Sequence, residues 1–192
     1  MQGLKTIIRK IRYSGSNYQC PVCNYNAAKF IDGGVKSAVF EKYNIVGGGF
    51  RKNLICPSCL SNDRERLMYL FVEKTLKEIK QANNNAKVTI LHLAPEHQIS
   101  AWLLKQPGVE YTAGDKFTKG YEYPSYTTEL DILKMPFEDN KFDLLICNHV
   151  LEHIPDDMAA MKEIQKVLKK GGIAVLQVPL AYGLETTAEN PA

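Results

Sequence analysis

The chain has 192 residues, of which 45% are hydrophobic, and this size suits one globular domain with a small additional module. Its net charge of +3 is too small to indicate a nucleic-acid-binding protein by itself, since such proteins concentrate basic residues on one face. No run of about 18 apolar residues predicts a membrane-spanning helix. The first residues lack the apolar core of a signal peptide, and we therefore expect a cytoplasmic location.

The first predicted element is a short amphipathic helix over residues 4–12. Its apolar side chains recur at helical spacing, at Leu4, Ile7, Ile8 and Ile11. Basic side chains fill much of the remaining surface, at Lys5, Arg9, Lys10 and Arg12. We expect the apolar side to rest on the protein itself, with attachment to a membrane surface as the alternative.

Two Cys-x-x-Cys pairs lie in the next segment, residues 18–60. The pairs are Cys20/Cys23 and Cys56/Cys59, and each carries a proline after its first cysteine. Zinc prefers thiolates in tetrahedral geometry, and two intervening residues let one tight turn present both sulfurs to one ion. The rival is a redox-active pair, but such motifs usually occur singly beside a βαβ unit. The sequence therefore predicts a structural zinc site, because four thiolates leave no open coordination position.

After this module the pattern predicts alternating helices and strands. A helix from Asp63 to about Lys80 ends at a cluster of asparagines, residues 83–85, that forms a linker. The strands that follow are residues 88–94, 111–115, 142–148 and 173–179, with a further segment around Asp131. Helices are predicted near 98–105 and at 157–169, and Gly171-Gly172 is expected to end the second one. This alternation predicts an α/β fold with a Rossmann-like, mostly parallel sheet.

The predicted sheet positions a candidate nucleotide site. Open α/β sheets bind ligands at the carboxyl ends of their strands, where the strand order reverses. The first strand runs into Leu93, Ala94, Pro95 and Glu96. Asp115 ends the second strand about 20 residues further on, which is the spacing expected of a carboxylate that binds a ribose.

A family resemblance is carried by the second half of the chain. Residues 88–179 resemble the class I S-adenosylmethionine-dependent methyltransferases of the small-molecule type, through DILKMPFEDNKFDLLICNHVLEHI and EIQKVLKKGGIAVLQVP. With the two cysteine pairs and LHLAPE, the chain is similar to a bacterial subgroup of zinc-ribbon methyltransferases from Cys20 to Pro179. The resemblance implies S-adenosylmethionine as the cofactor.

The resemblance also implies contacts to the polar parts of that cofactor. The glycine loop of the family is missing, because His92, Ala94 and Glu96 stand at the corresponding places. Glu96 is expected to compensate by meeting the ammonium group of the cofactor beside Leu93 and Ala94. Asp115 is similar to the carboxylate that takes the ribose hydroxyls.

The same resemblance implies which residues contact the adenine and methyl ends of the cofactor. Asp131 is similar to the residue that accepts from the adenine amine, and the backbone N–H of Ile132 to the group that meets a ring nitrogen. Asn148 and His149, at the end of the fourth strand, are expected to face the methionine part and the transferring methyl. Asp115 and Asp131 have a structural alternative, as turn or helix-capping residues.

Methyl transfer needs a base only when the acceptor is a poorly acidic hydroxyl or amine, and a histidine then suits neutral pH. The candidates are His149 and, second to it, His153. We therefore expect a methyltransferase that acts on a small-molecule or glycan-linked acceptor. A nicotinamide oxidoreductase is disfavoured because the glycine fingerprint is absent.

Two alternatives remain beside this function. One is an RNA methyltransferase that grips RNA with its zinc module, where basic and aromatic residues are interleaved. The basic residues are Lys29, Lys36, Lys42, Arg51, Lys52, Arg64 and Arg66, and the aromatic ones are Phe30, Phe40, Tyr43 and Phe50. The other is a protein that binds the cofactor without catalysis.

The domain organisation predicted from these patterns has three parts. Residues 1–62 form the amphipathic segment and zinc-ribbon module, residues 63–86 a connecting helix and linker, and residues 87–192 the cofactor-binding domain. The family has a seven-stranded sheet, but the segment after Pro179 has too few β-formers to supply the last two strands. We therefore expect a five-stranded sheet, truncated after its fifth strand, in which residues 173–179 form an edge. Such an edge invites self-association or covering by the tail or the module.

Overall fold

The computed structural model describes residues 2–84 and 86–186. The described residues form two compact units. The first contains the residues up to Glu73 together with the tail from Leu180 onward, and the second contains those of Lys74–Pro179. The domain boundaries predicted from the sequence stay a prediction.

The first unit consists of short elements around the cysteine pairs. In chain order these are α1 (Gln2–Tyr13), β1 (Ser14–Gln19), β2 (Asn26–Ala27), β3 (Ile31–Gly33), α2 (Ala38–Lys42), β4 (Arg51–Ile55) and the start of α3 (Asp63–Ala82). β1 pairs with β2 and β3 with β4, both antiparallel. α3 begins with a capping box, in which the Asn62 side chain accepts from the Glu65 N–H and the Glu65 carboxylate accepts from the Asn62 N–H.

Helix α1 forms where the sequence predicts it, but its apolar side is not covered. Leu4, Ile7, Ile8 and Ile11 are between 56% and 73% exposed. The expectation that this side rests on the protein itself is therefore wrong for the part of the chain that the structure describes.

The tail returns to the first unit after the last strand of the second. The N–H of Val46 donates to the carbonyl of Leu180 at 2.8 Å, and the N–H of Gly183 donates to the carbonyl of Tyr43 at 2.9 Å. Ile45 and Ala181 form an antiparallel bridge between these bonds. The backbone of this segment thus pairs with residues 43–46.

The second unit contains a parallel sheet of five strands. Its elements are the end of α3, β5 (Val88–Leu93), α4 (His97–Leu103), β6 (Val109–Asp115), β7 (Thr127–Glu129), β8 (Phe142–Asn148), a 3-10 helix (Leu151–His153), α5 (Asp157–Val167) and β9 (Leu168–Gln177). The strand order is β7-β6-β5-β8-β9, and all neighbours are parallel. The predicted fold class is confirmed, and β9 is an edge strand as expected. The order reverses between β5 and β8, so a ligand is expected at their carboxyl ends.

The core of this unit explains why β5 and β8 are central. Every residue of β8 is buried, and all of β5 except Thr89. One side of the sheet packs on α5 through Ala160, Ile164 and Val167. A strand that is buried along its whole length is the pattern expected of a parallel sheet that is covered on both faces.

Asp143 is the one charged residue in β8 and has a structural role. Its carboxylate accepts from the Thr89 N–H and from Lys169 Nζ, both at 2.8 Å. Burial would raise the pKa of Asp143, but the hydrogen bonds from Lys169 and Thr89 lower it overall. These bonds tie β8 to β5 and β9.

The expected glycine stop after α5 is wrong. α5 ends at Val167 and β9 begins at the next residue, so Gly171 and Gly172 lie inside β9. The register between β8 and β9 shifts at this point, and Gly171 has a φ of 82°. The two glycines therefore form an irregularity in the strand rather than a helix terminus.

Candidate functional site

The four paired cysteines come together as a single cluster in the first unit. Their sulfur atoms all lie within 4.8 Å of one another. Cys20 Sγ and Cys59 Sγ are 3.7 Å apart, as are Cys23 Sγ and Cys56 Sγ. A tetrahedron of thiolates about 2.3 Å from a zinc ion has edges of about 3.8 Å, whereas a disulfide needs about 2.05 Å. The cysteines are free thiols whose arrangement fits a zinc module.

The two turns that carry these cysteines have the same backbone geometry. The N–H of Asn24 donates to the carbonyl of Cys20 at 2.8 Å, and the N–H of Leu60 donates to the carbonyl of Cys56 at 3.0 Å. Asn24 and Leu60, each directly after the second cysteine of a pair, have φ values of 56° and 65°. The repeated Cys-Pro-x-Cys sequence thus builds two equivalent turns that face each other.

Two residues of the cysteine site were not found from the sequence. The fully buried Ser61 hydroxyl lies 3.1 Å from Cys59 Sγ and 3.6 Å from Cys20 Sγ. Arg66 donates to the carbonyls of Ser61 and Leu54, at 2.8 and 2.9 Å, and its guanidinium lies over the Phe30 ring. Neither residue type has a signature at these spacings, so only the folded structure reveals them.

The crowded sulfurs shift one another's pKa in opposite directions. Hydrogen bonds with Cys56 and Cys59 lower the pKa of the Cys20 thiol, whereas the contact with Cys20 raises the pKa of Cys56 to about 11 and also raises that of Cys59. One thiolate is therefore favoured by the cluster itself, and a full set of thiolates requires a cation at its centre.

The second site is a cleft at the carboxyl edge of the parallel sheet. Among the residues predicted to bind the cofactor, those that line the cleft are Leu93, Ala94, Asp115, Asp131 and Ile132. Its other walls are Gly114, Lys116, Leu130, Val150 and Ile154. The cleft therefore collects the ends of the first two strands and the loop after the third, as the sequence predicts for a nucleotide site.

Two residues at this edge adopt the left-handed backbone conformation that favours glycine. Ala94, directly after β5, has a φ of 47°, and His149, directly after β8, has a φ of 54°. Ala94 thus makes a bend that favours glycine, at a cost of about 1 kcal/mol. Strained residues of this kind are concentrated at functional sites.

Glu96 is held by a chain of buried polar groups. His92 Nε2 lies 2.7 Å from Glu96 Oε2, and Asn148 Nδ2 donates to Glu96 Oε1 at 2.9 Å. Because a carboxylate only accepts, His92 carries its proton on Nε2, and its Nδ1 accepts from the Tyr111 hydroxyl at 3.0 Å. That hydroxyl in turn accepts from Ser100 Oγ at 2.8 Å.

This network keeps a charge at the switch point of the sheet. Burial would raise the pKa of Glu96, but the hydrogen bonds from His92 and Asn148 lower it overall. Glu96 is thus an ionised carboxylate that joins the ends of β5 and β8. The sequence singled out Glu96 and Asn148, but their contact with each other and with His92 was not predicted.

The two aspartates of the cleft differ in their surroundings. Burial raises the pKa of Asp115, since no cation pairs with it among the described residues. Asp131 Oδ2 accepts from Lys116 Nζ at 2.9 Å and its Oδ1 from the Leu133 N–H at 2.9 Å. These bonds lower the pKa of Asp131, the backbone bond from Leu133 being the larger cause. The bond from the Leu133 N–H means that Asp131 also stabilises a turn, which is the structural role considered for it from the sequence.

The two candidate bases are in different environments. His149 Nδ1 lies 3.1 Å from Glu152 Oε1, and its side chain is three-quarters buried. His153 is exposed on the 3-10 helix. A carboxylate that accepts from Nδ1–H leaves Nε2 as the basic nitrogen, so Glu152 orients His149. The contact between Glu152 and His149 was not predicted from the sequence.

Several buried polar atoms at this edge lack a hydrogen-bond partner among the described residues. They are Asn148 Oδ1, His149 Nε2 and Gln177 Oε1, and Gln177 pairs with Asn148 across β8 and β9. Buried polar groups are normally satisfied by protein, water or a ligand, so these atoms have capacity for a further polar partner. They lie at the ends of β8 and β9 and do not line the cleft. The cleft with its two aspartates fits the hydroxyl and adenine groups of a cofactor, and Glu96 fits its ammonium group.

The fold is of the doubly wound α/β class, in which nucleotide-type ligands bind at this edge of the sheet. Residues 76–176, more than half of the chain, match a family model described as a methyltransferase domain. The chain belongs to the family of S-adenosylmethionine-dependent methyltransferases.

Individual relatives are similar over limited stretches. Demethylmenaquinone methyltransferases from Staphylococcus saprophyticus and Staphylococcus aureus are 44% identical over 45 residues, which is 23% of this chain. The matched stretch spans 19% of the length of these curated relatives. The crystal structure of the DszA carbon methyltransferase is 21% identical with a TM-score of 0.48, covering 60% of this chain and 36% of that one. The YcgJ protein from Bacillus subtilis is 22% identical with a TM-score of 0.39, covering 54% of this chain and 50% of that one.

Proposed function

We propose that this protein transfers a methyl group from S-adenosylmethionine to a small-molecule or glycan-linked acceptor. The observation that supports this proposal most directly is the Glu96 carboxylate, fixed by His92 and Asn148 at the carboxyl ends of β5 and β8. It supplies a negative charge where the family has a flexible glycine loop, and the cofactor brings an ammonium group.

Each part of the cofactor has a complementary group on the chain. Asp115 binds the ribose hydroxyls, for which a carboxylate without a cation is suited. Asp131 accepts from the adenine amine beside the Ile132 N–H, using lone pairs that Lys116 and Leu133 leave free. Leu93 and Ala94 line the cleft and would lie under the cofactor.

When bound, S-adenosylmethionine would supply a methyl group on a sulfonium, which leaves as a neutral thioether once the methyl has passed to the acceptor. The protein contributes mostly by positioning the two reactants. Where the acceptor is a hydroxyl or amine, His149 Nε2 takes its proton, and Glu152 stabilises the resulting imidazolium. Asn148 orients the methionine part.

Cofactor binding is tested by calorimetry with S-adenosylmethionine and its demethylated product. Asp115→Ala removes charge-assisted hydrogen bonds worth roughly 1.5–3 kcal/mol, so the dissociation constant should rise about tenfold to a hundredfold. Glu110→Ala is the matched control, because Glu110 lies on the same strand and pairs with Lys87 instead. Unchanged affinity in both Asp115→Ala and Asp131→Ala would refute this placement.

The base is tested with the pair His149→Gln and His153→Gln. A general base contributes about a hundredfold to ten-thousandfold in rate. Turnover with a labelled methyl donor should fall by this factor only in His149→Gln, with the cofactor affinity little changed. Equal losses in both variants, or a loss in His153→Gln alone, would show that His149 is not the base.

We propose that the cysteine cluster holds one structural zinc ion through Cys20, Cys23, Cys56 and Cys59. Its support is the set of sulfur separations, which match the edges of a zinc–thiolate tetrahedron. Elemental analysis should find about one zinc per chain in the parent and in Cys147→Ser, and much less in Cys23→Ser. Cys147 is a suitable control because it is buried in β8 of the second unit and does not belong to the cysteine cluster. A metal-free parent protein whose first unit is fully folded contradicts the proposal.

The RNA alternative has less support in the first unit. Arg51 forms a salt bridge with Asp63, and Arg66 donates hydrogen bonds to the carbonyls of Leu54 and Ser61. Phe30 is 4% exposed and cannot stack on a base.

The cytoplasmic location stays a prediction. No described helix combines the length and apolar character that a membrane span requires.

A further inference from the structure

Helix α1 is attached to the first unit by its polar side. Arg9 donates through Nε to the carbonyl of Pro57 and through Nη2 to the carbonyl of Ser58, in the second cysteine turn. The Tyr25 hydroxyl donates to the carbonyl of Lys10. Two helix residues other than Arg9 are half-buried, Thr6 and Tyr13. Amphipathic helices of globular proteins usually bury their apolar stripe instead.

The half-buried positions and the apolar positions occupy opposite sides of the helix. Thr6, Arg9 and Tyr13 follow the i, i+3, i+7 spacing of one helical face. Leu4, Ile7, Ile8 and Ile11 follow the same periodicity on the other face and are more than half exposed. Because the polar side is bonded to the cysteine turn, the apolar stripe of Leu4, Ile7, Ile8 and Ile11 is held facing solvent.

Cationic side chains border this stripe. At about 3.6 residues per turn, Lys5 and Arg12 lie along one margin of the stripe and Lys10 along the other. The described helix contains no acidic residue. Long cationic side chains beside an apolar stripe can reach the headgroups while the stripe enters the acyl boundary.

We propose that the apolar stripe of α1 docks the protein onto an anionic membrane surface, with the helix lying in the interface plane. Charge favours this partner, because the margins of the stripe are positive and the surface of an anionic bilayer is negative. A second copy of this chain fits less well, because two such stripes would bring their cations together without an acidic partner in α1. The proposal does not depend on the methyltransferase activity.

The test is co-sedimentation of the full chain with vesicles of phosphatidylcholine containing about one-third phosphatidylglycerol, compared with phosphatidylcholine alone. The first variant is Ile8→Ser/Ile11→Ser. Its matched control is Leu67→Ser/Phe71→Ser, which changes two similarly exposed apolar residues, four positions apart, on α3. Zinc content and circular dichroism establish that the variants are folded.

The parent protein should bind the anionic vesicles, and Ile8→Ser/Ile11→Ser should lower the partition coefficient at least tenfold while the control keeps it. Lys5→Gln/Arg12→Gln should weaken binding about fivefold per charge, and raising the salt concentration should remove this difference.

Four results would overturn the proposal. The parent fails to bind anionic vesicles, the isoleucine variant binds as the parent does, or the α3 control loses as much binding as the α1 variant. The fourth is that light scattering shows a dimer of the parent that Ile8→Ser/Ile11→Ser dissociates, which assigns the stripe to contact between copies.

Discussion

Replacing Glu96 by glutamine separates the charge of this residue from its place in the hydrogen-bond network. The glutamine oxygen can still accept from Asn148 Nδ2, and its amide can donate to His92 Nε2. His92 then carries its proton on Nδ1 and donates to Tyr111, whose hydroxyl donates to Ser100. The direction of the chain reverses, but every member keeps a partner. Glu96→Gln should therefore fold nearly as stably as the parent.

The cofactor affinity should respond differently from the stability. If Glu96 binds the cofactor ammonium, Glu96→Gln removes the attraction between two opposite charges and keeps a hydrogen bond, a loss of roughly 1.5–3 kcal/mol. The dissociation constant for S-adenosylmethionine should rise about tenfold to a hundredfold by calorimetry. Glu96→Leu is the contrasting variant, because it leaves the buried donors of His92 and Asn148 without an acceptor. It should lose about 2–4 kcal/mol of unfolding free energy, a fall in Tm on the order of 10 °C.

Two outcomes would refute this reasoning. Unchanged cofactor affinity in Glu96→Gln would show that the carboxylate does not meet the ammonium. A Tm as low in Glu96→Gln as in Glu96→Leu would show that the chain of His92, Tyr111 and Ser100 cannot reverse, so that the charge itself is structural.

Three further predictions concern the stability of the second unit, measured by chemical denaturation. Ala94→Gly should raise the free energy of unfolding by about 0.5–1 kcal/mol, since glycine adopts the positive φ without strain; a destabilised variant contradicts this. Gly172→Ala should lower it by about 1–3 kcal/mol, because a Cβ would lie 2.9 Å from the Lys169 carbonyl and 3.1 Å from the Phe142 carbonyl. Asp143→Asn should lower it most above pH ~4, because the lowered pKa of Asp143 stabilises the folded state only while the carboxyl is ionised. The difference from the parent should shrink as pH falls below that value, and a constant difference would exclude this linkage.

The cysteine cluster and the central strands were predictable because their signals are local. A single turn brings the sulfurs of Cys20 and Cys23 together, and β5 and β8 are each recognised by their own run of apolar residues. Asp115 and Asp131 were expected at this edge because Asp115 ends β6 and Asp131 lies two residues after β7. The carboxyl ends of parallel strands lie along the same edge of the sheet, so residues at these ends can line one cleft.

The features that were missed depend on tertiary contacts or on which side of a helix faces the protein. His92 looks like a strand residue, and only the bend at Ala94 brings Glu96 back to it. The periodicity of α1 identifies an apolar stripe but not the side by which the helix is attached, which Arg9 decides. A Gly-Gly pair such as Gly171-Gly172 is compatible with a helix terminus and with an irregularity in a strand, so the sequence does not distinguish the two.

The antiparallel bridge between Ile45 and Ala181 has a consequence for synthesis and dissection of the chain. The ribosome delivers both cysteine turns early, yet the segment that pairs with residues 43–46 emerges only after the whole parallel sheet. The first unit can thus gather its sulfurs long before its last backbone partners arrive. A chain stopped at Pro179 leaves the N–H of Val46 and the carbonyl of Tyr43 without the partners they have here. The first unit is therefore discontinuous in sequence, and isolating it requires joining two separate segments rather than making one cut.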